Sequence, residues 1–296
     1  MLKRNIGNNQ PVRKRSKLIS LLYLARVFES SLIAVTGSIE LVMLGEKNLE
    51  RLAIMILGAF FMMTGIYAWN DVLDIGEDTV SHPERPIPRK EITIHEAKII
   101  GTVSLLISLT FFLFLGFEYI ILSALGAFVG IAYSRTTKQI TFGKTLTVLF
   151  TAIVGAFSVA YVERREIPVT IIAFSFSIVL LLLGYEIMKD MRDVRGDAEV
   201  GIRTIPMILG AEKATILAGS AFVVSCLGIG AFFLQIGLNF EGVISFITGI
   251  IIIPSFVWLY QKPSERTIDV VRLFAIGAIG LSLNAVAVSI YFRSAL

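Results

Sequence analysis

The chain has 296 residues, 55% of them hydrophobic, with a mean hydropathy of +0.78 and only 17% charged side chains, against roughly 25% in soluble domains. This balance excludes a disordered or fibrous chain and argues against a water-soluble globule. The single cysteine, Cys226, excludes an intrachain disulfide framework and any multi-cysteine metal site.

Residues 1–17 form a polar, basic segment without the short apolar core and small-residue cleavage site of a signal peptide, and read as a cytoplasmic tail. A transmembrane helix needs about 20 mostly apolar residues. Apolar runs meeting that pattern lie at roughly 18–43, 51–72, 97–115, 118–134, 145–162, 168–189, 213–235, 240–260 and 269–292. The sequence therefore predicts an all-α membrane protein, a bundle of nine transmembrane helices forming one domain over residues 18–296. With the tail inside, the inner segments carry 20 Lys and Arg and the outer ones only Lys47, Arg51, Arg164, Arg165 and Arg293. That asymmetry places the N-terminus in the cytoplasm and the C-terminus outside. The net charge of +4 and pI near 9.2 record the same asymmetry; a basic inner face suits anionic lipid, and nucleic-acid binding is not indicated.

The acids are distributed unevenly. Six of the seven aspartates fall in two short segments, Asp71, Asp74 and Asp78 in NDVLDIGED and Asp190, Asp193 and Asp197 in KDMRDVRGD. Both have the spacing D-x-x-D-x-x-x-D, both follow an outside-to-inside run, and each precedes an arginine-proline segment, Arg85-Pro-Ile-Pro88 or Arg203-Thr-Ile-Pro206. Four spans separate the copies, so both face one compartment. At about 100° per residue, positions i, i+3 and i+7 share an arc of roughly 60°, which predicts that each trio lines one helix face and that six carboxylates meet at the inner mouth. A carboxylate within the membrane costs on the order of 2.5–3.5 kcal/mol at a helix centre, and like charges add repulsion. Cation binding relieves both. Oxygen ligands without Cys or His favour Mg²⁺, which prefers a few carboxylates completed by substrate phosphate oxygens. Arg85, Arg89, Lys138, Arg192, Arg195 and Arg203 add phosphate-binding charge.

At these residues the chain resembles the UbiA superfamily of intramembrane prenyltransferases. Its first signature, N-D-x-x-D-x-x-x-D, matches Asn70, Asp71, Asp74 and Asp78, and its second aspartate motif matches Asp190, Asp193 and Asp197. The stretches HPERPIP and EIMKDMRDVRGDAEVGIRTIP look most like the archaeal digeranylgeranylglyceryl phosphate synthases. Where the superfamily often has Arg-Pro-x-Asn in the first helix, this chain has Arg26, Val27, Phe28 and Glu29, keeping the arginine and changing the asparagine.

The resemblance implies a nine-helix bundle in which Mg²⁺ held by the two aspartate clusters binds the diphosphate of an allylic isoprenyl donor. Asp71, Asp74, Asp190 and Asp197 are the leading metal-site and catalytic candidates, with Lys138 as a further catalytic candidate and Asp78 and Asp193 as further metal ligands. Asn70 is expected at metal-bound water or diphosphate; Lys138, Tyr133, Arg85, Arg203 and Arg26 are expected around the diphosphate. Glu186 could tune the site or pair with Lys189 or Lys138, while His82 and His95 read as loop or helix-start residues. Gly126, Gly130 and Gly155 read as small residues permitting close helix packing.

The leading reaction is transfer of a geranylgeranyl group from its diphosphate to geranylgeranylglyceryl phosphate, an ether-lipid step with a lipid acceptor. The alternative within the class is an aromatic acceptor, as in quinone or chlorophyll-type lipids. A cation-coupled transporter is a more distant reading: such sites usually sit at the bilayer midplane between inverted repeats, and here the repeat is parallel with its acids at one face.

Overall fold

The computed structural model describes residues 15–136, 142–199, 201–235 and 237–295, which are helical with short connections and no strand among them. In chain order the helices are α1 (Lys17–Leu24), α2 (Val27–Met43), α3 (Leu49–Leu73), α4 (Ile75–Ser81), α5 (Ile94–Leu115), α6 (Phe117–Thr136), α7 (Gly143–Arg164), α8 (Val169–Glu199), α9 (Ile205–Leu209), α10 (Ala211–Gln235), α11 (Asn239–Gln261) and α12 (Glu265–Ala295). Eight of the nine apolar runs fall on single helices, α3, α5 to α8 and α10 to α12, and the first spans α1 and α2. By length and apolarity, six helices among the described residues could cross a membrane, or seven if α1 and α2 form one bent span; Phe117–Ala132 is a shorter apolar helix.

Local chemistry starts these helices. Ser16 Oγ accepts from the Ile19 N–H at α1, and Asn48 Oδ1 accepts from the Glu50 and Arg51 N–H groups at α3. Thr93 and Glu96 form a reciprocal capping box at α5. The first run is not one straight helix. It bends by 44° between α1 and α2, where Arg26 takes a left-handed conformation (φ 43°), which costs an L-residue roughly 1–2 kcal/mol.

Helix α3 packs against α2 and α5, α10 lies against both α8 and α11, and α12 closes onto α2 and α8. The main core lies among α8, α10, α11 and α12 around Phe174, Phe222, Phe233, Ile252, Phe256 and Leu259. The outward surfaces of the helices expose large apolar side chains, including Phe114, Phe117, Phe128, Phe150 and Phe176, an arrangement suited to lipid rather than water. Close approach of helices explains Gly130, where an added Cβ would stand 3.0 Å from Ile66 Cγ2 of α3, but it does not explain Gly155, whose Cβ would meet nothing within 4 Å. A close backbone crossing joins Gly230 and Gly242, each of whose added Cβ atoms would press on the other's carbonyl oxygen, at 3.0 and 2.9 Å.

Candidate active site

The two aspartate motifs occupy the ends of α3 and α8. The second trio lies on one unbroken helix, as its spacing predicts. The first does not, because α3 stops at Asp74 and α4 begins after it. Hydrogen bonds from Asp74 N to Asn70 O and from Asp78 N to Asp74 O, both 2.8 Å, carry the turn across this junction. Asp71 and Asp78 consequently still point the same way, and Arg85 reaches both.

Asp71 is 2% exposed and Asp190 1% exposed; Asp78 and Asp197 are equally buried, and Asp74 and Asp193 are half-buried. Two arginines, Arg26 at the junction of α1 and α2 and Arg85 just after α4, clasp the first motif. Arg26 Nη2 donates to Asp71 Oδ1 at 2.6 Å while its guanidinium lies over the Tyr67 ring, 4.6 Å from the centroid. Arg85 Nη1 donates to both oxygens of Asp78 at 2.6 Å and reaches Asp71 Oδ1 at 3.4 Å. The helix break at Arg26 accompanies a long-range contact, its guanidinium meeting Asp71 across 45 residues of chain. Burial raises the Asp78 carboxyl to about 6, against the opposing pull of Arg85.

The motifs are joined through His82, at the end of α4. Its Nε2 lies 3.5 Å from Asp193 Oδ2 and its Nδ1 lies 3.5 Å from Glu84 Oε1. Burial disfavours the imidazolium, but those carboxylates outweigh it, and the His82 pKa stands above the ordinary histidine value. The sequence marked His82 only as a loop residue; its HPERP context, in a segment returning from the first motif, was the available signal. Asp193 is held on its other side by Arg192, whose Nε donates to Oδ1 at 2.7 Å. One turn before Asp190, Glu186 is buried, with Oε1 accepting from Lys189 Nζ at 2.9 Å and Oε2 without a hydrogen-bond partner among the described residues.

Arg203 is exposed and forms no ion pair among the described residues; its carbonyl accepts from Phe142 N. Lys138 and the side chain of Tyr133 lie outside the described residues. Among those residues, no three carboxylates or imidazoles stand together as a ready metal cage, since guanidinium groups hold Asp71 and Asp78 and both Arg192 and His82 hold Asp193. The donor set nonetheless suits a hard cation: it is carboxylate oxygen throughout, and Asn70 Oδ1 beside Asp71 is buried without a hydrogen-bond donor among the described residues.

Comparison with known proteins agrees with this arrangement. The model of the UbiA prenyltransferase family matches residues 31–278. The digeranylgeranylglyceryl phosphate synthase of Pyrococcus horikoshii is 31% identical over 202 residues, 65% of this chain and 72% of that protein. The enzyme of the same name from Pyrococcus furiosus is 27% identical over 231 residues, 75% and 79% of the two chains. Among solved structures, one from work on digeranylgeranylglyceryl phosphate synthase in membranes has a TM-score of 0.61 at 22% identity, covering 94% of this chain and 99% of that one. A UbiA homologue from Archaeoglobus fulgidus, bound to GPP and Mg²⁺, has a TM-score of 0.62 at 15% identity, covering 89% and 99%. Two buried aspartate motifs on a helical membrane fold, a family match across most of the length and relatives of one name lead to one assignment: the chain belongs to the UbiA prenyltransferase family, as a multi-pass membrane protein.

Proposed function

We propose that the protein transfers a geranylgeranyl group from its diphosphate to geranylgeranylglyceryl phosphate in archaeal ether-lipid synthesis, at an active site on the cytoplasmic side. The observation that carries this reading is the convergence of Arg26 and Arg85 on Asp71, with His82 tying the first motif to Asp193 of the second. Relatives named for this reaction support the choice of acceptor.

Asp71, Asp74, Asp78, Asp190, Asp193 and Asp197, with Asn70 Oδ1, are the groups that would hold Mg²⁺. When bound, the metal neutralises charge on the donor's diphosphate. Arg26 and Arg85, now engaged with Asp71 and Asp78, are positioned to turn to the diphosphate oxygens as negative charge grows there. The C1–O bond of the allylic donor breaks with its electron pair leaving on the diphosphate. The acceptor hydroxyl oxygen forms the new bond to C1, and its proton passes to the released diphosphate.

The test is to incubate purified protein and Mg²⁺ with geranylgeranyl diphosphate and an acceptor panel, identifying products by mass spectrometry. The expected product is the doubly geranylgeranylated glyceryl phosphate. Efficient prenylation of 4-hydroxybenzoate or 1,4-dihydroxy-2-naphthoate, with the ether lipid ignored, replaces this reading with the aromatic one.

A further inference from the structure

Helix α8 presents two adjoining stripes at its inner end. Glu186, Asp190, Asp193 and Asp197 follow one helical face, and the packing of α4 on α8 with the His82–Asp193 contact directs part of it toward the first motif. Tyr185, Lys189 and Arg192, at i, i+4 and i+7, follow the neighbouring face. That second stripe meets α2 and α12: the Tyr185 hydroxyl lies 3.4 Å from Glu29 Oε1, and Arg192 Nη1 lies 3.9 Å from Asp269 Oδ1.

Arg272 completes this corner from α12. Its side chain is only 12% exposed, and its Nε–H is buried with no acceptor among the described residues. Its one ion-pair contact there is loose, with Nη2 standing 3.5 Å from Asp269 Oδ1, an oxygen that accepts no hydrogen bond from the described residues. A pair of residues three apart on a helix, formed only to neutralise itself, has the reach to close to hydrogen-bond distance. This one has not closed, and a buried guanidinium donor has been left open. An anion with several oxygens satisfies Nε and Nη2 together, which a single carboxylate oxygen at 3.5 Å does not. Asp269 also faces Arg192, and Arg192 donates to Asp193, so the corner adjoins the second aspartate motif through one arginine.

We propose that Arg272, with Arg192 beside it, holds the phosphate of the acceptor in the corner between α8, α12 and α2. This inference rests on the functional reading above and deepens it: one stripe of α8 serves the donor's diphosphate, and the next stripe faces the acceptor's phosphate. Arg272 acts here as a specificity residue, fixing the acceptor so that its free hydroxyl stands beside C1 of the donor.

The experiment compares geranylgeranylglyceryl phosphate with the same lipid lacking its phosphate, in wild type, Arg272→Gln and Arg272→Lys, with Mg²⁺ and geranylgeranyl diphosphate. Wild type is expected to prefer the phosphorylated acceptor. Arg272→Gln should raise the KM for that acceptor by at least about 10-fold, the loss of one charge-assisted contact. It should leave kcat/KM for the dephosphorylated lipid and KM for the diphosphate donor within about 2-fold of wild type, since neither uses the lost contact. Arg272→Lys should recover part of the preference, and an unchanged donor KM reports an intact fold. Equal losses on both acceptors, or a raised donor KM, overturn the subsite. A wild type that demands the phosphate while Arg272→Gln keeps the full demand overturns the subsite alone. A wild type indifferent to the phosphate overturns the functional reading and the subsite with it.

Discussion

Replacing Glu91 with Gln tests how the arginines of the site are held in place. Glu91 lies in the segment between α4 and α5, and its side chain is 2% exposed. It accepts from Arg15 N at 3.2 Å, Arg15 Nε at 3.0 Å, Ser20 Oγ at 2.9 Å and Arg89 Nε at 2.7 Å. Arg15 also donates to the Glu84 carbonyl, and Lys17 to that of Glu91. One carboxylate thus straps α1, which ends just before Arg26, to the segment that carries Arg85. Removing the charge of a deeply buried pair costs about 3–5 kcal/mol. The two arginines here are each 18% exposed at the surface, so solvent screens them, and a cost of about 2 kcal/mol is the better expectation. Arg89, Arg15 and Ser20 hold the Glu91 carboxyl at about 2 against the opposing effect of burial, below its ordinary value of 4.5. A carboxylate with a depressed folded pKa stabilises the fold above its unfolded value and loses that contribution as pH falls through the folded one. Thermal unfolding in detergent at pH 7 should therefore give a lower Tm for Glu91→Gln, and the gap should close as the pH falls from about 4.5 toward 2. The donor KM should rise with it, because Arg26 and Arg85 lose their common anchor. A variant with wild-type Tm at pH 7, or a gap that persists in acid, refutes the strap.

Activity should vanish in EDTA and return with Mg²⁺, measured by release of diphosphate; full turnover in chelator removes the proposed role of the aspartates. Asp71→Ala and Asp190→Ala should each lower turnover by at least about 10²-fold, and the double variant should fall far short of the product of the two losses, because groups acting as a unit are not additive. Near-normal activity in either single variant makes its motif structural. Gly242→Ala sets a methyl 2.9 Å from the Gly230 carbonyl oxygen and 2.7 Å from Leu234 Cγ, so α10 and α11 must separate at a cost of about 1–3 kcal/mol; an unchanged Tm contradicts that crossing.

The apolar helices were legible because the bilayer imposes long apolar runs whatever the tertiary structure, although six or seven of the nine runs, among the described residues, are long and apolar enough to cross a membrane; the aspartate motifs were legible because so few other aspartates surround them. The breaks were not. The run through Leu24, Ala25, Arg26 and Val27 carries no proline or glycine, and its bend depends on a partner, Asp71, that only folding brings near. The junction at Asp74 likewise interrupts a pattern whose i, i+3, i+7 spacing is helical throughout. Arg85 could be anticipated from its distance to Asp78 along the chain. Arg272 and Tyr185 could not be assigned to a site, because their place depends on α12 and α2 lying against α8, which local pattern does not specify.

The length of α8 bears on why the chemistry sits where it does. Its 31 residues extend about 46 Å at 1.5 Å per residue, well beyond the roughly 30 Å of hydrocarbon. Its apolar stretch comes first, and Lys189, Asp190, Arg192, Asp193 and Asp197 crowd the final turns. Charges placed there avoid most of the cost of burial at the membrane centre while keeping contact with the apolar helix below. A donor with a charged head and a long hydrocarbon tail needs that boundary, and so does an acceptor with a phosphate at one end and an isoprenoid chain at the other. Because α-helical periodicity gives one helix two adjoining faces at the same depth, the proposed acceptor subsite would set both head groups against α8 at one level of the membrane. A midplane ion site, the arrangement expected of a cation-coupled transporter, makes no use of this excess length.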